Sequence, residues 1–106
     1  MSEVISIRFE GMTPTQYDTL RGIVRWDTDA PEGMRVHIAT FVDGALCMTD
    51  VWDSAEQYAQ FAQTRIGPGL AQAGIEGQPE STVGPAHEVW LDSADDDTAG
   101  NKVVFQ

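Results

Sequence analysis

Cysteine is almost absent from this chain of 106 residues, which has Cys47 alone. One thiol excludes an internal disulfide and any metal site that needs several cysteines. Long apolar runs are missing too, since none approaches the about 18 residues of a membrane span, and the N-terminus lacks the pattern of a secretory signal. We therefore expect a cytoplasmic protein with no membrane partner.

Basic residues are scarce. Six Lys and Arg oppose 17 Asp and Glu, which gives a formal net charge of -11. Binding to a nucleic-acid backbone requires clustered Lys and Arg that displace counterions, and an anionic membrane surface makes a similar demand. We expect no nucleic-acid partner. Solubility explains the surplus of acidic residues, and an acidic surface for a cationic partner is the alternative.

Motifs for metals and for nucleotide cofactors are missing as well. His37 and His87 do not have a ligand spacing such as H-x-x-x-H. Gly67-Pro68-Gly69 follows a helical pattern, whereas a phosphate-binding glycine loop follows a strand. The sequence predicts neither a metal nor a cofactor.

The N-terminal part of the chain contains a strand pattern followed by a helix pattern. Residues 4–9 alternate between apolar and polar, which is the period of a half-buried strand. Thr13, Pro14 and Gln16 then form a helix start, with Thr13 at the N-cap and Gln16 placed for a capping box. The apolar stripe of this helix consists of Tyr17, Leu20, Ile23 and Val24.

A β-hairpin is predicted in the middle of the chain. Residues 34–42 and 45–52 are strand-like, and the Asp43-Gly44 pair between them is favoured in two-residue type I′ turns. This turn fixes the register of the two strands, because each residue before the turn pairs with the residue equally far after it. The resulting pairs on one sheet face are Phe41 with Leu46, Ala39 with Met48, His37 with Asp50, and Arg35 with Trp52.

A second helix follows the hairpin. It begins at Asp53 or Ser54, where Ser54 and Gln57 form a second capping box. Gly67-Pro68-Gly69 is expected to interrupt it, because proline removes a helical donor. A short further turn then ends at Gly74.

The last strand is predicted from about Thr82 to Leu91. Residues 1–91 then form one domain. Residues 92–106 form an acidic C-terminal tail with an apolar end.

The element order β-α-β-β-α-β predicts an α+β protein of the ferredoxin-like class. Such a fold has a four-stranded antiparallel sheet with two helices on one face. The second face is not polar here, because the hairpin register places Val36, Ile38, Val42, Cys47 and Val51 on it. An exposed apolar face of this kind is typical of an interface, so we expect a homodimer whose two sheets pack face to face.

Three stretches of this sequence resemble the dimeric α+β-barrel proteins, in particular the group related to antibiotic-biosynthesis monooxygenases. The stretch Asp50-Val51-Trp52-Asp53-Ser54-Ala55-Glu56 is similar to the V-W-[DE]-S junction between strand and helix in that group. Residues 8–17 and 85–90 resemble its small members, and the resemblance covers roughly residues 3–91. It implies a dimeric α+β barrel, in a superfamily that includes cofactor-free oxygenases, haem degraders, isomerases and plain ligand binders.

The face that carries His37 and Asp50 is the candidate site. A carboxylate beside an imidazole holds one tautomer and raises its basicity, as a general base requires. Arg8 joins the pair if the first strand presents its polar face the same way, and a buried arginine there could hold an anionic oxygen. We predict His37, Asp50 and Arg8 as catalytic residues. The predicted ligand-binding residues are Trp52, Arg35, Phe41, Met48 and Ser6.

A structural interpretation stands beside the functional one. His37 and Asp50 are then an ordinary cross-strand pair, and Arg8 forms an ion pair with Asp50 across the dimer. His87 on the last strand is interpreted as a buried core histidine, and Tyr17 as core packing at helical spacing.

Three functions are open at the level of sequence. The first is a dimeric small-molecule-binding protein with a pocket for an apolar or aromatic metabolite, active as a cofactor-free monooxygenase, isomerase or cyclase with a His/Asp base. The second is a non-catalytic binding or accessory protein. The third is a haem-degrading monooxygenase, for which His37 tied to Asp50 is a weak iron ligand. The sequence leaves open whether the protein is an enzyme.

Overall fold

The computed structural model describes residues 2–92, which form a four-stranded sheet and two helical segments. In chain order the elements are β1 (Glu3–Glu10), α1 (Pro14–Val24), β2 (Met34–Val42), β3 (Ala45–Trp52), α2 (Ala55–Phe61), a π-helical turn (Ala62–Ile66), α3 (Gly67–Ala73) and β4 (Glu80–Pro85). The strand order is β2-β3-β1-β4, and all neighbours are antiparallel. The predicted ferredoxin-like α+β fold is confirmed. The tail predicted over residues 92–106 lies outside the described residues except for its first.

The start of α1 follows from the capping box. The Thr13 hydroxyl accepts from the Gln16 amide at 3.1 Å, and the Gln16 side-chain oxygen accepts from the Thr13 amide at 3.0 Å. These two bonds satisfy donors that a helix N-terminus leaves without a partner. The helix ends because Arg25 adopts the left-handed conformation, with φ of 63°.

The hairpin turn sets the register of β2 and β3 as predicted near the turn. Asp43 and Gly44 both have positive φ, as a type I′ turn requires. His37 lies opposite Asp50, as expected. The predicted pairing of Arg35 with Trp52 is wrong, because a bulge between Met34 and Val36 puts Met34 opposite Trp52. The extra residue is Arg35, which turns toward solvent.

The second helical segment is not interrupted at Gly67-Pro68-Gly69, contrary to expectation. The chain passes through the π-helical turn, in which the Gly67 amide donates to the Ala62 carbonyl. This wider turn lets the helix continue past Pro68, which has no amide donor. The segment ends at Gly74 in the left-handed conformation, as predicted.

The last strand is shorter than predicted. It ends at Pro85, and one further ladder bond joins the Ala86 amide to the Ser2 carbonyl at 2.9 Å. His87 is therefore not a buried strand residue but lies exposed in an irregular segment. Proline lacks the donor that continued pairing needs, which explains the early end of the strand.

The two sheet faces have different roles. Ile5, Ile7 and Phe9 of β1 are buried beneath the helices together with Leu46 and Trp52 of β3. The opposite face, here called the outer face, carries the residues between them in sequence, namely Val4, Ser6, Arg8, Val36, Ile38, Thr40, Cys47, Thr49 and Val51. No helix within residues 2–92 is long and apolar enough to cross a bilayer.

At Gly69, helix α3 packs closely against α1, so a larger residue there should lower the stability of the protein. A Cβ at this position would lie 2.5 Å from the Val24 Cγ2 atom and 3.2 Å from the Leu20 Cδ1 atom. We expect Gly69→Ala to lower the free energy of unfolding by about 1–3 kcal/mol through overpacking. Urea denaturation measures the change.

The matched control is Gly22→Ala, also in a helix. A Cβ at Gly22 meets nothing within 4 Å, so the substitution should stabilise the helix by about 0.5–1 kcal/mol. Equal stability of the two variants would contradict the close contact between α1 and α3.

Candidate functional site

A small cavity of about 60 Å³ lies between the sheet and the helices. Its walls are mostly apolar and include Met12, Met34, Met48, Phe61, Ile66 and Leu70. His37 and Asp50 also line it, and no Lys or Arg of the described chain does. The cavity is therefore a largely apolar space whose wall contains the His37–Asp50 pair and one tyrosine, Tyr58.

The pair results from the hairpin register. His37 on β2 faces Asp50 on β3, and the Nδ1 atom of His37 lies 2.7 Å from the Oδ1 atom of Asp50. The Asp50 side chain is 6% exposed and that of His37 is 18% exposed. A carboxylate buried to this degree requires hydrogen-bond donors, and the imidazole supplies one.

Trp52 supplies the second donor. Its indole N–H donates to the Oδ2 atom of Asp50 at 3.2 Å, and the residue is fully buried. Its ring lies 5.4 Å from that of Phe61 and 5.6 Å from that of Tyr58, measured between centroids. Trp52 was predicted as a ligand wall, but the structure places it behind Asp50, where it orients the carboxylate.

Tyr17 completes the network from α1. Its hydroxyl oxygen lies 2.9 Å from the Nε2 atom of His37. The Asp50 carboxylate only accepts, so Nδ1 carries a proton and donates to it. When the ring is neutral, Nε2 is then an acceptor and the Tyr17 hydroxyl donates to it. Trp26 packs against both rings, at 5.4 Å from Tyr17 and 5.5 Å from His37.

Burial keeps the tyrosine hydroxyls of the site protonated. It raises the pKa of Tyr17 to about 12; the positive charge of Arg21 opposes this rise, and the negative charge of Asp50 adds to it. The pKa of Tyr58 is raised by burial and, to a smaller extent, by Asp50. Tyr17 is therefore a permanent donor near neutral pH.

The structure does not bring Arg8 and Ser6 to His37 and Asp50. Ile5 is the residue of β1 that lies opposite Asp50, so both predicted residues point to the outer face. Arg8 forms an ion pair with Glu10 at 2.7 Å and contacts the Cys47 sulfur at 3.6 Å. The expectation failed because the turn that fixes the register of β2 and β3 does not fix the phase of β1.

Arg35 is also outside the cavity. It forms two hydrogen bonds with the Asp53 carboxylate, at 2.8 and 2.6 Å, and this pairing lowers the pKa of Asp53. Of the predicted ligand-binding residues, Met48 lines the cavity. Phe41 lies beside it, with its ring edge against the Tyr17 ring at 6.0 Å.

Sequence reasoning missed that Tyr17 and Trp26 contact His37. Tyr17 was interpreted as core packing because of its helical spacing. One signal was present: a tyrosine on a buried stripe, unlike a phenylalanine, needs a partner for its hydroxyl. Its partner lies 20 residues away on another element, and sequence spacing does not show that.

The donor set does not favour a metal or a haem. Within residues 2–92, no three His, Cys, Asp or Glu side chains lie close enough together to hold a metal ion. Both ring nitrogens of His37 are engaged, one by Asp50 and one by Tyr17. An iron ligand would need one of these nitrogens free.

The raised pKa of Tyr17 predicts that the folded protein loses stability in alkaline solution. The folded protein holds Tyr17 neutral up to about 12, whereas the unfolded chain releases this proton near 10.0. The unfolded state therefore binds fewer protons above that point, and Tyr17 costs the folded state up to about 2–3 kcal/mol by pH 12. Tyr17→Phe should remove this loss, as measured by denaturation at pH 8 to 12.

Near neutral pH the same variant should be less stable by about 1 kcal/mol, because one buried hydrogen bond is lost. The advantage of the wild type should therefore shrink as pH rises above 10 and reverse by pH 12, where Tyr17→Phe becomes the more stable protein. The variant Tyr58→Phe measures how much of the alkaline loss of stability comes from the second tyrosine. An alkaline transition that Tyr17→Phe leaves unchanged would contradict a buried, protonated Tyr17.

Several solved structures share this fold. A protein of unknown function from Nitrosomonas europaea matches with a TM-score of 0.64 and 15% identity, over 86% of this chain and 94% of its own. The cofactor-independent oxygenase SnoaB from Streptomyces nogalater matches with a TM-score of 0.60 and 12% identity, over 86% and 97%. A monooxygenase from the gene ActVA-Orf6 of Streptomyces coelicolor, in complex with nanaomycin D, matches with a TM-score of 0.59 and 18% identity, over 87% and 93%.

No protein-family model matches the sequence, and no curated protein matches it. At the identities found, the structural likeness concerns the fold. It confirms at that level the resemblance that the sequence suggested: the chain has the ferredoxin-like α+β fold of the antibiotic-biosynthesis-monooxygenase-like proteins.

Proposed function

We propose that this protein binds a small, uncharged and largely apolar molecule between its sheet and its helices, and that His37 acts on it as a general base. The observation that carries the proposal is a buried imidazole–carboxylate pair in the wall of an apolar cavity. Packing alone does not need these two polar groups. A carboxylate at this position carries a desolvation cost that hydrogen bonds only offset, and such buried titratable groups are concentrated at functional sites.

The charge of the cavity supports an uncharged ligand. Asp50 is an acidic residue in the wall, and no Lys or Arg of the described chain balances it there. An anionic ligand would meet this carboxylate without a compensating cation, at high energetic cost in a low-dielectric site. A neutral ligand avoids that repulsion.

The cavity must enlarge to admit an aromatic ring. Its volume of about 60 Å³ is well below the roughly 300–1,000 Å³ typical of ligand pockets. Met12, Met34 and Met48 form part of the wall. Methionine side chains have three rotatable bonds and adapt to new shapes, so this wall is suited to repacking around a ligand.

His37 has the arrangement of a general base. Asp50 holds the Nδ1 proton, which leaves the lone pair of Nε2 to accept a proton. Transfer of a proton from a ligand C–H or O–H bond to Nε2 gives an imidazolium paired with Asp50 and leaves the electron pair on the ligand as a carbanion or enolate.

The fate of that anion defines the reaction class. Addition to dioxygen gives a cofactor-free oxygenation, and rearrangement gives an isomerase or cyclase. The names of two structural neighbours, a cofactor-independent oxygenase and a monooxygenase, support the first outcome.

A non-catalytic binding protein is the second candidate. The observation that favours it is the completeness of the network, in which Tyr17, His37, Asp50 and Trp52 satisfy one another. A network without a free polar atom can serve structure alone. In that case the cavity sequesters a ligand without changing it.

We also propose that two copies pair through the outer face. Ile38 is 55% exposed. On the same face Val36, two residues away on β2, lies opposite Val51 of β3, which lies opposite Val4 of β1. Apolar side chains on a continuous sheet face favour burial against a second sheet. The proposed occupant is a second copy of this chain.

The ligand proposal predicts binding of a neutral ring in preference to an anionic one. We expect phenol to bind with a Kd on the order of 1 mM, given its few heavy atoms, and benzoate to show no saturable binding. His37→Phe should weaken phenol binding about tenfold through loss of the acceptor. Titrations followed by ¹⁵N NMR give these constants.

The matched control is Arg35→Gln, a change on the same strand at a residue outside the cavity, which should leave the phenol Kd unchanged. Equal affinities of the wild type and His37→Phe would contradict a role for His37. Preferred binding of benzoate would contradict an uncharged ligand.

The dimer proposal predicts that one charged side chain introduced on the outer face of each copy dissociates the dimer. Ile38→Glu should convert the dimer to a monomer, since two glutamates would be buried in the interface. Val83→Glu is the matched control: Val83 is 47% exposed but lies opposite Ile5, away from the outer face. Light scattering after size exclusion reports the mass. A monomeric wild type would contradict the proposal.

A further inference from the structure

The Nε2 atom of His37, which would accept a hydrogen bond from a ligand, is already bonded to another residue of the protein. The Tyr17 hydroxyl lies 2.9 Å from the Nε2 atom of His37, and that nitrogen has a single lone pair when the ring is neutral. Nδ1 is not an alternative, because Asp50 holds it at 2.7 Å. A ligand in the cavity can contact the His37 ring, but it forms a hydrogen bond with Nε2 only by taking the place of the tyrosine hydroxyl.

We propose that Tyr17 determines ligand specificity by competing with the ligand for Nε2 of His37, so that the site selects molecules with an O–H or N–H donor of their own. The inference rests on the proposed function, since it presupposes a ligand beside His37. Tyr17 acts through His37 and is a positioning residue, because it bonds the imidazole and does not itself line the cavity.

The selection follows from the cost of an unpaired buried acceptor. A ligand without a donor that displaced Tyr17 would leave Nε2 without a hydrogen bond in a largely buried site. A ligand with a donor restores that bond. A site that contains such an acceptor rejects analogues lacking the donor more strongly than an apolar pocket rejects a shape difference.

The ring of Tyr17 does not need the hydroxyl for packing. It contacts Trp26 at 5.4 Å and Phe41 at 6.0 Å between ring centroids, contacts that a phenylalanine ring would keep. Tyr17→Phe therefore removes the competitor while preserving the aromatic cluster, and it separates the polar role from the packing role.

The test compares phenol with anisole, which has a ring of the same size and no donor. Tyr17→Phe should bind phenol about three- to tenfold more tightly than the wild type, because no internal bond has to be broken. Its affinity for anisole should change less than twofold. General loosening of the structure would move both affinities together, so the ratio of the two constants is the decisive quantity.

An unchanged ratio overturns the inference, and it leaves the proposed function standing if His37→Phe still weakens phenol binding. Failure of the wild type and of Tyr17→Phe to bind phenol overturns both. A second measurement does not require the variant to fold. In wild-type protein with ¹³C-labelled tyrosine, phenol should shift the Cζ signal of Tyr17 and anisole should not; equal shifts overturn the inference.

Discussion

The centre of this molecule depends on the buried carboxylate of Asp50. A charge removed from water must find donors, because leaving it unpaired costs more than the surrounding packing supplies. Asp50 finds two of them, the imidazole of His37 on the neighbouring strand and the indole of Trp52 two residues further along its own strand. Trp52 in turn packs on Phe61 of α2, so one electrostatic requirement ties the sheet to the helix above it.

The need for hydrogen-bond partners continues from Asp50 through His37 to α1. With Nδ1 committed to the carboxylate, Nε2 needs a donor, and the Tyr17 hydroxyl of α1 provides it. The contacts that satisfy the buried charge are thus the contacts that would prepare a base: a fixed tautomer, a partner for the imidazolium and a lone pair held at a defined place. Stability and the proposed chemistry would depend on the same four side chains.

The charge of the cavity was decided by two details of strand pairing. The bulge in β2 turns Arg35 to solvent and brings Met34 to the cavity, and the phase of β1 brings Ile5 and Ile7 inward while Arg8 faces outward. Without the bulge Arg35 would pair with Trp52, and a shift of β1 by one residue would turn Arg8 to the sheet face that carries Asp50. Either change would put an arginine on the face of the cavity, and the site would then suit an anion. The uncharged ligand of the proposed function follows from this arrangement.

The sequence by itself determined the features that depend on neighbours in the chain. The Thr13 cap, the Asp43-Gly44 turn and, through that turn, the pairing of His37 with Asp50 could all be predicted, because each is set by interactions over a few residues. The order of the elements then gave the fold. Only the tertiary structure decided that Tyr17 bonds His37, because their contact joins two elements whose relative placement no local pattern fixes.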